Sequence, residues 1–571
     1  MNSRISSQLK FLLFVQSLFL LPLVAPSAVS AAIKIKDTNY PIPTGAYFVS
    51  PNGKASNSGK TPNSPWSVEK AIKLAPRGAT IVFLDGTYRN ISAKINKKLT
   101  LQAYPHSKPW LKGSVVVKGW VREGNKWRKD GWRYVFPLKG NTKMIDPKYR
   151  MARYGDMVYI NGRALRQVGS MLMVKPGTFY VDYARDKLYI GNNPTKKRVE
   201  ATVVKDGLTI VSKSAASTVV RGLGFAHYAD TALRVHAPRL DVENNIFVWN
   251  GVQGAGFTGT DALVRGNTFS YNGRKGLSGY LAHRMLLENN TISYNNVEHF
   301  ATTWDAAGVK VVDTRGFTWR NNRVEHNLAT GMWADESSTN ATIVSNTVRY
   351  NEGLGIMFEI SHLAIIAANL VYRNATAGIM ISESSGARVY NNTLSMNNKH
   401  IVVKDAHRQN TKAASVAAGI AWVTRDNVFK NNILSRARGS ALFEASDCAT
   451  KQPSKLMINA VDYNAYYRPV SSKPQSLIKW SLGTRRCSVG YASIAAFDAA
   501  TNFEANAIAV DNVATNPFFV DEARGDYRLK PDSPAIGRGA PLPADVAKVI
   551  GLPGGVRVDL GAIQSKVFLV Q

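Results

Sequence analysis

Between Val242 and Asn398 the chain repeats one short unit. Asparagine marks the period, at Asn245, Asn267, Asn290, Asn322, Asn346, Asn369 and Asn392, with intervals of 22, 23, 32, 24, 23 and 23 residues. Nine residues beyond an asparagine stands a glycine, at Gly254, Gly276, Gly331, Gly355 and Gly378, and at Gly308 if the long interval holds a nine-residue insertion. A period of this size with alternating apolar residues means stacked coils, because one coil alone cannot bury its own apolar side.

The residues after each glycine separate two faces, since side chains alternate along a strand. One column holds Ala255, Leu277, Val309, Met332, Ile356, Ile379 and Val402; two residues further on stand Phe257, Gly279, Val311, Ala334, Phe358, Ile381 and Lys404. These columns are nearly all apolar and are expected to point inward. The columns between them are expected to face out: Gly256, Ser278, Lys310, Trp333, Met357, Met380 and Val403, then Thr258, Tyr280, Val312, Asp335, Glu359, Ser382 and Asp405. Val, Ile and Thr crowd the strand positions and no leucine-rich signature is present, which disfavours a leucine-rich solenoid.

With the recurring asparagines in "ENNIF", "RGNTF", "ENNTI", "RNNRV", "VSNTV", "YNNTL" and "KNNIL", the pattern resembles the right-handed parallel β-helix of pectin-lyase-like proteins, in their carbohydrate-active branch. The resemblance implies an all-β solenoid whose asparagines stack in a turn, tolerate a left-handed backbone and bond the coils above and below.

Residues 1–31 read as a secretory signal peptide: Arg4 and Lys10, the apolar run "FLLFVQSLFLLPLV", then small residues up to Ala31. No later segment approaches a membrane-spanning length of apolar residues, so the mature chain is expected to be exported, to the periplasm or the exterior, without a transmembrane segment. The formal net charge of +33 biases the protein toward anionic partners. For an exported coil stack an acidic polysaccharide is the expected partner, and no nucleic acid is expected. The only two cysteines, Cys448 and Cys487, form an even pair that suggests one disulfide in an exported chain.

Residues 32–113 read as an N-terminal cap and first coils. Ser67 can cap a short helix with Ala71, Ile72, Leu74 and Ala75 on its apolar side, ended by Pro76 to Gly78. Residues 114–200 read as a small inserted β-subdomain of aromatic-rich antiparallel strands, with Trp120, Trp127, Trp132, Tyr180 and Tyr183 as its expected core. Regular coils are expected over 201–440, near Val203 to about Leu434. Residues 441–571 hold C-terminal coils, the disulfide loop and a segment, "NPFFVDEARGDYRLKPDSPAIGRG", that resembles the closing segment of secreted β-helix proteins and is expected to cover the last coil.

No Walker loop, dinucleotide fingerprint, HExxH or GxSxG is present, which argues against nucleotide, zinc-protease and serine-hydrolase chemistry. The chemistry is expected beside the one long excursion between coils, inside "SYNNVEHFATTWDAAGVKV". Asp305 on that excursion, Lys310, Asp335 and Glu359 are the catalytic candidates. Shortening Val297 to Ala307 is expected to spare stability, because the register restarts at Gly308. Asp335 and Glu359 share a column one coil apart, so their backbones lie roughly 4.8 Å apart. Two such carboxylates either raise one pKa, giving a general acid beside a nucleophile or base as in glycosidases, or share a Ca²⁺ as acidic-polysaccharide lyases do. In the lyase or uronate-epimerase alternative Lys310 is the base; no "DPHD" run of the alginate type is present. Otherwise no cofactor is expected. Trp333 is a candidate sugar platform, and Tyr280, Glu336, Ser382, Glu383, Lys404, His407 and His299 are candidate substrate contacts. A second alternative is a coil stack that binds an anionic polysaccharide without catalysis.

Overall fold

Apolar residues that alternate along short strands, repeated every coil, can be buried only if each strand lies against its copy in the next turn. The computed structural model, which describes residues 33–484 and 486–565, shows that arrangement. The leader expected at residues 1–31 lies outside the described residues. Three sheets of 13 strands each run the length of the stack, parallel throughout except for the last pair of one, where Val489–Tyr491 lies antiparallel to Ser476–Trp480. One full turn passes from Lys275–Tyr280 in the first sheet to Leu286–Glu288 in the second and Thr291–Ser293 in the third, then returns to the first at Ala307–Val312. The fold is an all-β right-handed parallel β-helix with an N-terminal capping helix and an inserted β-subdomain.

In the first sheet Leu277 pairs with Val309, Val309 with Met332, Met332 with Ile356, and Ile356 with Ile379. All are fully buried and form one continuous core with Val311, Ala334, Phe358 and Ile381. One coil differs from expectation. Ile379 pairs with Ile401 and Ile381 with Val403, so Ile401 and Val403 point inward while Val402 and Lys404 face out. That coil is one residue shorter after its asparagine, with His400 in the glycine position, and a one-residue slip reverses both faces. The glycines elsewhere have a steric cause. A Cβ at Gly331, Gly355 or Gly378 would lie 2.8, 2.5 or 2.8 Å from a carbonyl oxygen of the next coil.

The asparagine column forms a ladder at the corner between the second and third sheets. Each side-chain amide donates to the next asparagine's Oδ1 at 2.9–3.1 Å, from Asn245 through Asn392 and on to Asn432 and Asn464. The left-handed backbone falls to the residue before it, at Asn244, Asn289, Asn321, Asn391 and Asn431, so conformation and hydrogen bonding are divided between neighbours. A second ladder, unforeseen from the sequence, runs five residues later at the third-to-first corner through Asn250, Asn272, Asn295, Asn327, Asn351, Asn374 and Asn397, with amide bonds of 2.8–3.0 Å.

The helix Val68–Leu74 has Ser67 as its cap, accepting from Lys70 N, and buries Val68, Ala71 and Ile72 against the first coil. Leu74, expected on the apolar side, is 54% exposed. The inserted segment forms an eight-stranded sheet from Ser114–Val116 to Val199–Thr202. Val158, Phe179, Val181, Leu188 and Trp132 make its core, with Trp120, Trp127 and Tyr183 packed on it.

At the far end, coils continue well past Leu434. Ala465–Arg468 pairs with Ile508–Asp511, and Ser476–Trp480 pairs in parallel with Ala441–Ser446. The disulfide joins Cys448 and Cys487. The core is closed by the helix Ile494–Thr501, whose Phe497 lies against Trp480, and not by the segment after residue 516. That segment runs back along the outside, with Phe518, Phe519 and Tyr527 packed on Tyr372 and Tyr467, and Leu542 and Val546 clustered with Val344 and Tyr390. Its apolar residues match a side face of the stack better than an end.

Candidate active site

The outward face of the first sheet is bounded on both sides. The inserted subdomain and the excursion over residues 297–306 both leave the chain at the corner that precedes a first-sheet strand. Backbone pairing of Ile145 with Phe300 and the stacking of Tyr149 on His299, at 4.2 Å between centroids, bolt the two together into one wall. A second long excursion, residues 405–426, leaves at the opposite corner, after Lys399–Lys404. The reading that only one excursion interrupts the coils is therefore corrected. Its sequence signal was the interval of 40 residues from Asn392 to Asn432. The second excursion folds back across the coils: Arg408 reaches Glu359 and Glu383, Lys412 reaches Asp313 and Glu336 at 2.8 and 2.9 Å, and the Trp422 indole donates to Ser337. It also encloses a cleft of about 570 Å³ lined by His407, Arg408 and Trp422.

Between these walls lies a strip of paired charges. Lys310 Nζ sits 2.8 Å from Asp335 Oδ2 and 4.0 Å from Asp305 Oδ1, donates to the Trp304 carbonyl at 2.7 Å, and lies 3.5 Å from the centre of the Trp333 ring. Trp333 Nε1 donates to Glu359 Oε2 at 2.9 Å, and Arg408 holds the other oxygen of Glu359 at 2.6 Å. Ala334 pairs with Phe358, which places Asp335 and Glu359 next to each other in one column on adjacent coils. Asp335 and Glu359 are only 9% and 8% exposed. Burial pushes the Asp335 carboxyl up to about 6 against the pull of Lys310, and neighbouring Glu359 adds to the rise. Burial also acts to raise Asp305, but Lys275, Arg274 and Lys310 outweigh it and hold that carboxyl below its ordinary value. Lys275 binds Asp305 at 2.8 Å, and burial lowers its ammonium to about 8. Among the described residues no cluster of three or more His, Cys, Asp and Glu side chains is arranged to hold a metal ion.

The fold and this geometry can be set beside known proteins. A family model described as a right-handed β-helix region matches residues 209–353 and 302–434. This chain is a right-handed parallel β-helix protein. Among solved structures, the complex of XylC with xylose is similar with a TM-score of 0.60 at 19% identity, covering 74% of this chain and 83% of that one. A glycoside hydrolase is similar with a TM-score of 0.50 at 12% identity, covering 63% and 95%. No curated protein sequence matches the chain.

Within this β-helix, the candidates from sequence separate into those at the strip and those elsewhere. Asp305, Lys310, Trp333, Asp335 and Glu359 are brought together. Trp333 is not an open platform: it is 4% exposed, with Lys310 on one face and Glu359 on its indole nitrogen. Ser382 and Glu383 are fully buried, and Glu383 is taken up by Ser382, Arg408 and the Ala406 amide, so they support the second excursion and do not face a substrate. His299 is spent on Tyr149 at the base of the first wall, and burial lowers its pKa. His407 lies beyond the strip, where its bond to Asp447 at 2.8 Å raises its pKa. Tyr280 is exposed in the column of Asp335, two coils away, and Lys404 stands half-buried further along that column, paired with Ser446. Glu336 stays at the rim, paired with Lys412. Arg408, Trp304, Lys275 and Arg274 escaped the sequence reading; Trp304 is 44% exposed, and Lys275 and Arg274 pair with Asp305. The first excursion is also no detachable wall. Phe300 and Ala306 are buried with Ala152 and Ala329, so shortening Val297 to Ala307 removes core.

Proposed function

We propose that this β-helix protein is an exported carbohydrate-active enzyme that cleaves glycosidic bonds of a polysaccharide, an anionic one, with the Asp335–Glu359 pair as its chemical centre. The observation that carries the reading is the state of that pair. Two buried carboxylates one strand apart share a walled groove, and Asp335 keeps a proton to about pH 6 while Glu359 accepts from the Trp333 indole and Arg408. A carboxyl able to give a proton beside a second carboxyl fixed in place by two donors is what protonating a leaving oxygen and stabilising an oxocarbenium-like centre require. Strand spacing places the two backbones roughly 4.8 Å apart, close to the separation of about 5–5.5 Å that suits retention of configuration. Sugar chemistry in the two similar structures accords with this reading without assigning it. The disulfide fits an oxidising compartment, and among the described residues no helix is long and apolar enough to cross a membrane.

The lyase or epimerase alternative asks Lys310 to remove a proton. Its Nζ is instead engaged by Asp335 and by the Trp304 carbonyl. Lys310 and Arg408 also bring the positive charge that a Ca²⁺ between the carboxylates would supply.

The test replaces each carboxyl by its amide. Asp335→Asn and Glu359→Gln should each lower turnover by roughly 10²-fold or more while polysaccharide binding persists. The assay reads reducing ends together with ultraviolet absorbance of unsaturated uronates over a panel of acidic and neutral polysaccharides. Reducing ends alone support hydrolysis, and added absorbance would move the assignment to elimination. Full turnover in both amides would place the chemistry elsewhere.

A further inference from the structure

The positive charge of this protein is unevenly placed. Residues 114–200 hold 19 Lys and Arg against seven Asp and Glu. Several of those cations find acidic partners within the subdomain, such as Arg128 with Asp130 and Arg185 with Asp182. The stretch that meets the groove differs. Lys143, Lys148, Arg150 and Arg166 are exposed; the acid within the stretch, Asp146, caps a turn by accepting from Lys148 N at 2.9 Å, and Glu298 of the first excursion lies within electrostatic reach of Arg166.

Two of these cations are placed against aromatic rings at the first excursion. Lys143 Nζ lies 5.3 Å from the centre of the Trp304 ring, and the Arg166 guanidinium lies 6.0 Å from the ring of Tyr149, which stacks on His299. Their positions are held. The Ala301 amide donates to the Met144 carbonyl at 2.9 Å, Ile145 pairs with Phe300, and the Asn141 side chain accepts from Lys143 N at 3.0 Å. Trp304 in turn is tied to the strip of charges, since its carbonyl accepts from Lys310 Nζ at 2.7 Å.

We propose that the exposed Trp304 indole with Lys143, backed by Arg166, is a subsite for an acidic sugar residue, one carrying a carboxylate or sulfate, in the chain that lies in the groove. A sugar ring laid on the indole gains stacking whatever its substituents. An anionic substituent on that ring or its neighbour gains the ammonium of Lys143, which a neutral sugar cannot use. The inserted subdomain thereby selects the substrate while the coils carry the carboxylate pair. Double-stranded or single-stranded nucleic acid is the competing polyanion. It fits less well, because the carboxylates of Asp305, Asp335 and Glu359 beside this subsite are hydrogen-bond acceptors for hydroxyl groups, which every sugar of a glycan carries and the deoxyribose units within a DNA strand lack.

The proposal rests on the groove being the polysaccharide site, and its test separates the two. Binding is measured by affinity electrophoresis of the mature full-length protein. The probes are polygalacturonate, alginate and dextran sulfate, with carboxyl-reduced polygalacturonate and unsubstituted dextran as neutral matches and single-stranded DNA as the other polyanion. The double variant Lys143→Gln with Arg166→Gln should weaken binding of at least one acidic glycan about fivefold, the sum expected of two exposed charge contacts, and leave the neutral matches unchanged. Trp304→Ala should weaken the same glycan. The charge-matched control Lys196→Gln with Lys197→Gln, in a turn of the same subdomain, should have no effect. Equal loss in the control, equal binding of the neutral matches, no binding of any acidic glycan, or tighter binding of DNA lost in parallel would each overturn the subsite. Asp335→Asn is run alongside. A lost rim effect with an inactive Asp335→Asn sinks the subsite alone, and a preserved rim effect with a fully active Asp335→Asn sinks the catalytic reading alone.

Discussion

Two polar systems run along the coil axis, and they solve the same problem differently. Inside, the asparagine ladders are neutral: each amide both donates and accepts, so every rung satisfies the next and no charge needs a counter-charge. Outside, on the first sheet, the strip from Lys275 to Glu383 is charged, and no residue in it is satisfied by its own copy in the next coil. Lys310 needs Asp335, Asp305 needs Lys275, and Glu359 needs Arg408 from an excursion. Repetition stabilises the ladder because identical groups are complementary. Repetition cannot stabilise the strip, because like charges stacked at strand spacing repel. The strip is therefore irregular and bound to the non-repetitive parts of the chain, and burial within it raises Asp335 and lowers Lys275.

The largest effect expected from this contrast is in the ladder. Asn346→Ala removes the acceptor of the Asn322 amide groups and the donor to the Trp319 carbonyl and Asn369. With several buried groups left unpaired, it should cost about 3–5 kcal/mol. The loss should be the same in urea titrations at acid and alkaline pH; a pH-dependent loss would mean that the ladder is coupled to charge.

The first ladder does meet an ionisable group, at its end. Glu504 accepts from the backbone and side chain of Asn464 and from Tyr466, and burial raises its carboxyl to about 7. Raised in the folded state, the carboxyl keeps the proton that the unfolded chain releases. Its contribution to stability is complete below the ordinary value of 4.5 and is lost as pH climbs to about 7. Glu504→Gln should remove about 1–3 kcal/mol of that pH dependence, read as a flatter plot of unfolding free energy against pH. An unchanged slope would show that Glu504 does not titrate in this window.

The smallest expected effect on stability is at the strip. Arg408 is exposed enough to be screened, so Arg408→Gln should cost about 1 kcal/mol or less. Its removal takes a cation away from Glu359, which favours protonation of the carboxylate pair. The pH profile of turnover should move upward by about one pH unit. A large loss of stability without a moved profile would make Arg408 a structural clasp only.

Much of the coil architecture was legible because it repeats. The 22- to 24-residue period, the glycine column and the alternation of Ile356, Met357 and Phe358 each recur often enough to define corner, strand and face. The readings that failed lie where repetition breaks. His400 in place of a glycine shifted one strand by a residue, and the segment after residue 516 lies beside the stack and not over its end. The second ladder was present as asparagines five residues after the first and went unread, because sequences such as "SYNNV" set the ladder residue Asn295 beside Asn296, which bonds outside both ladders.

By itself the sequence determined the solenoid, its inward columns and the adjacency of Asp335 and Glu359, because stacking at constant period turns distance along the chain into position on a face. It did not determine that Arg408, 49 residues from Glu359, reaches it, that the subdomain beginning at Ser114 joins the excursion at His299, or that Trp333 is covered by Lys310. Those contacts join segments with no common period. They are decided by how buried charges and apolar side chains find partners once the coils have stacked, and only the folded chain brings those partners within reach.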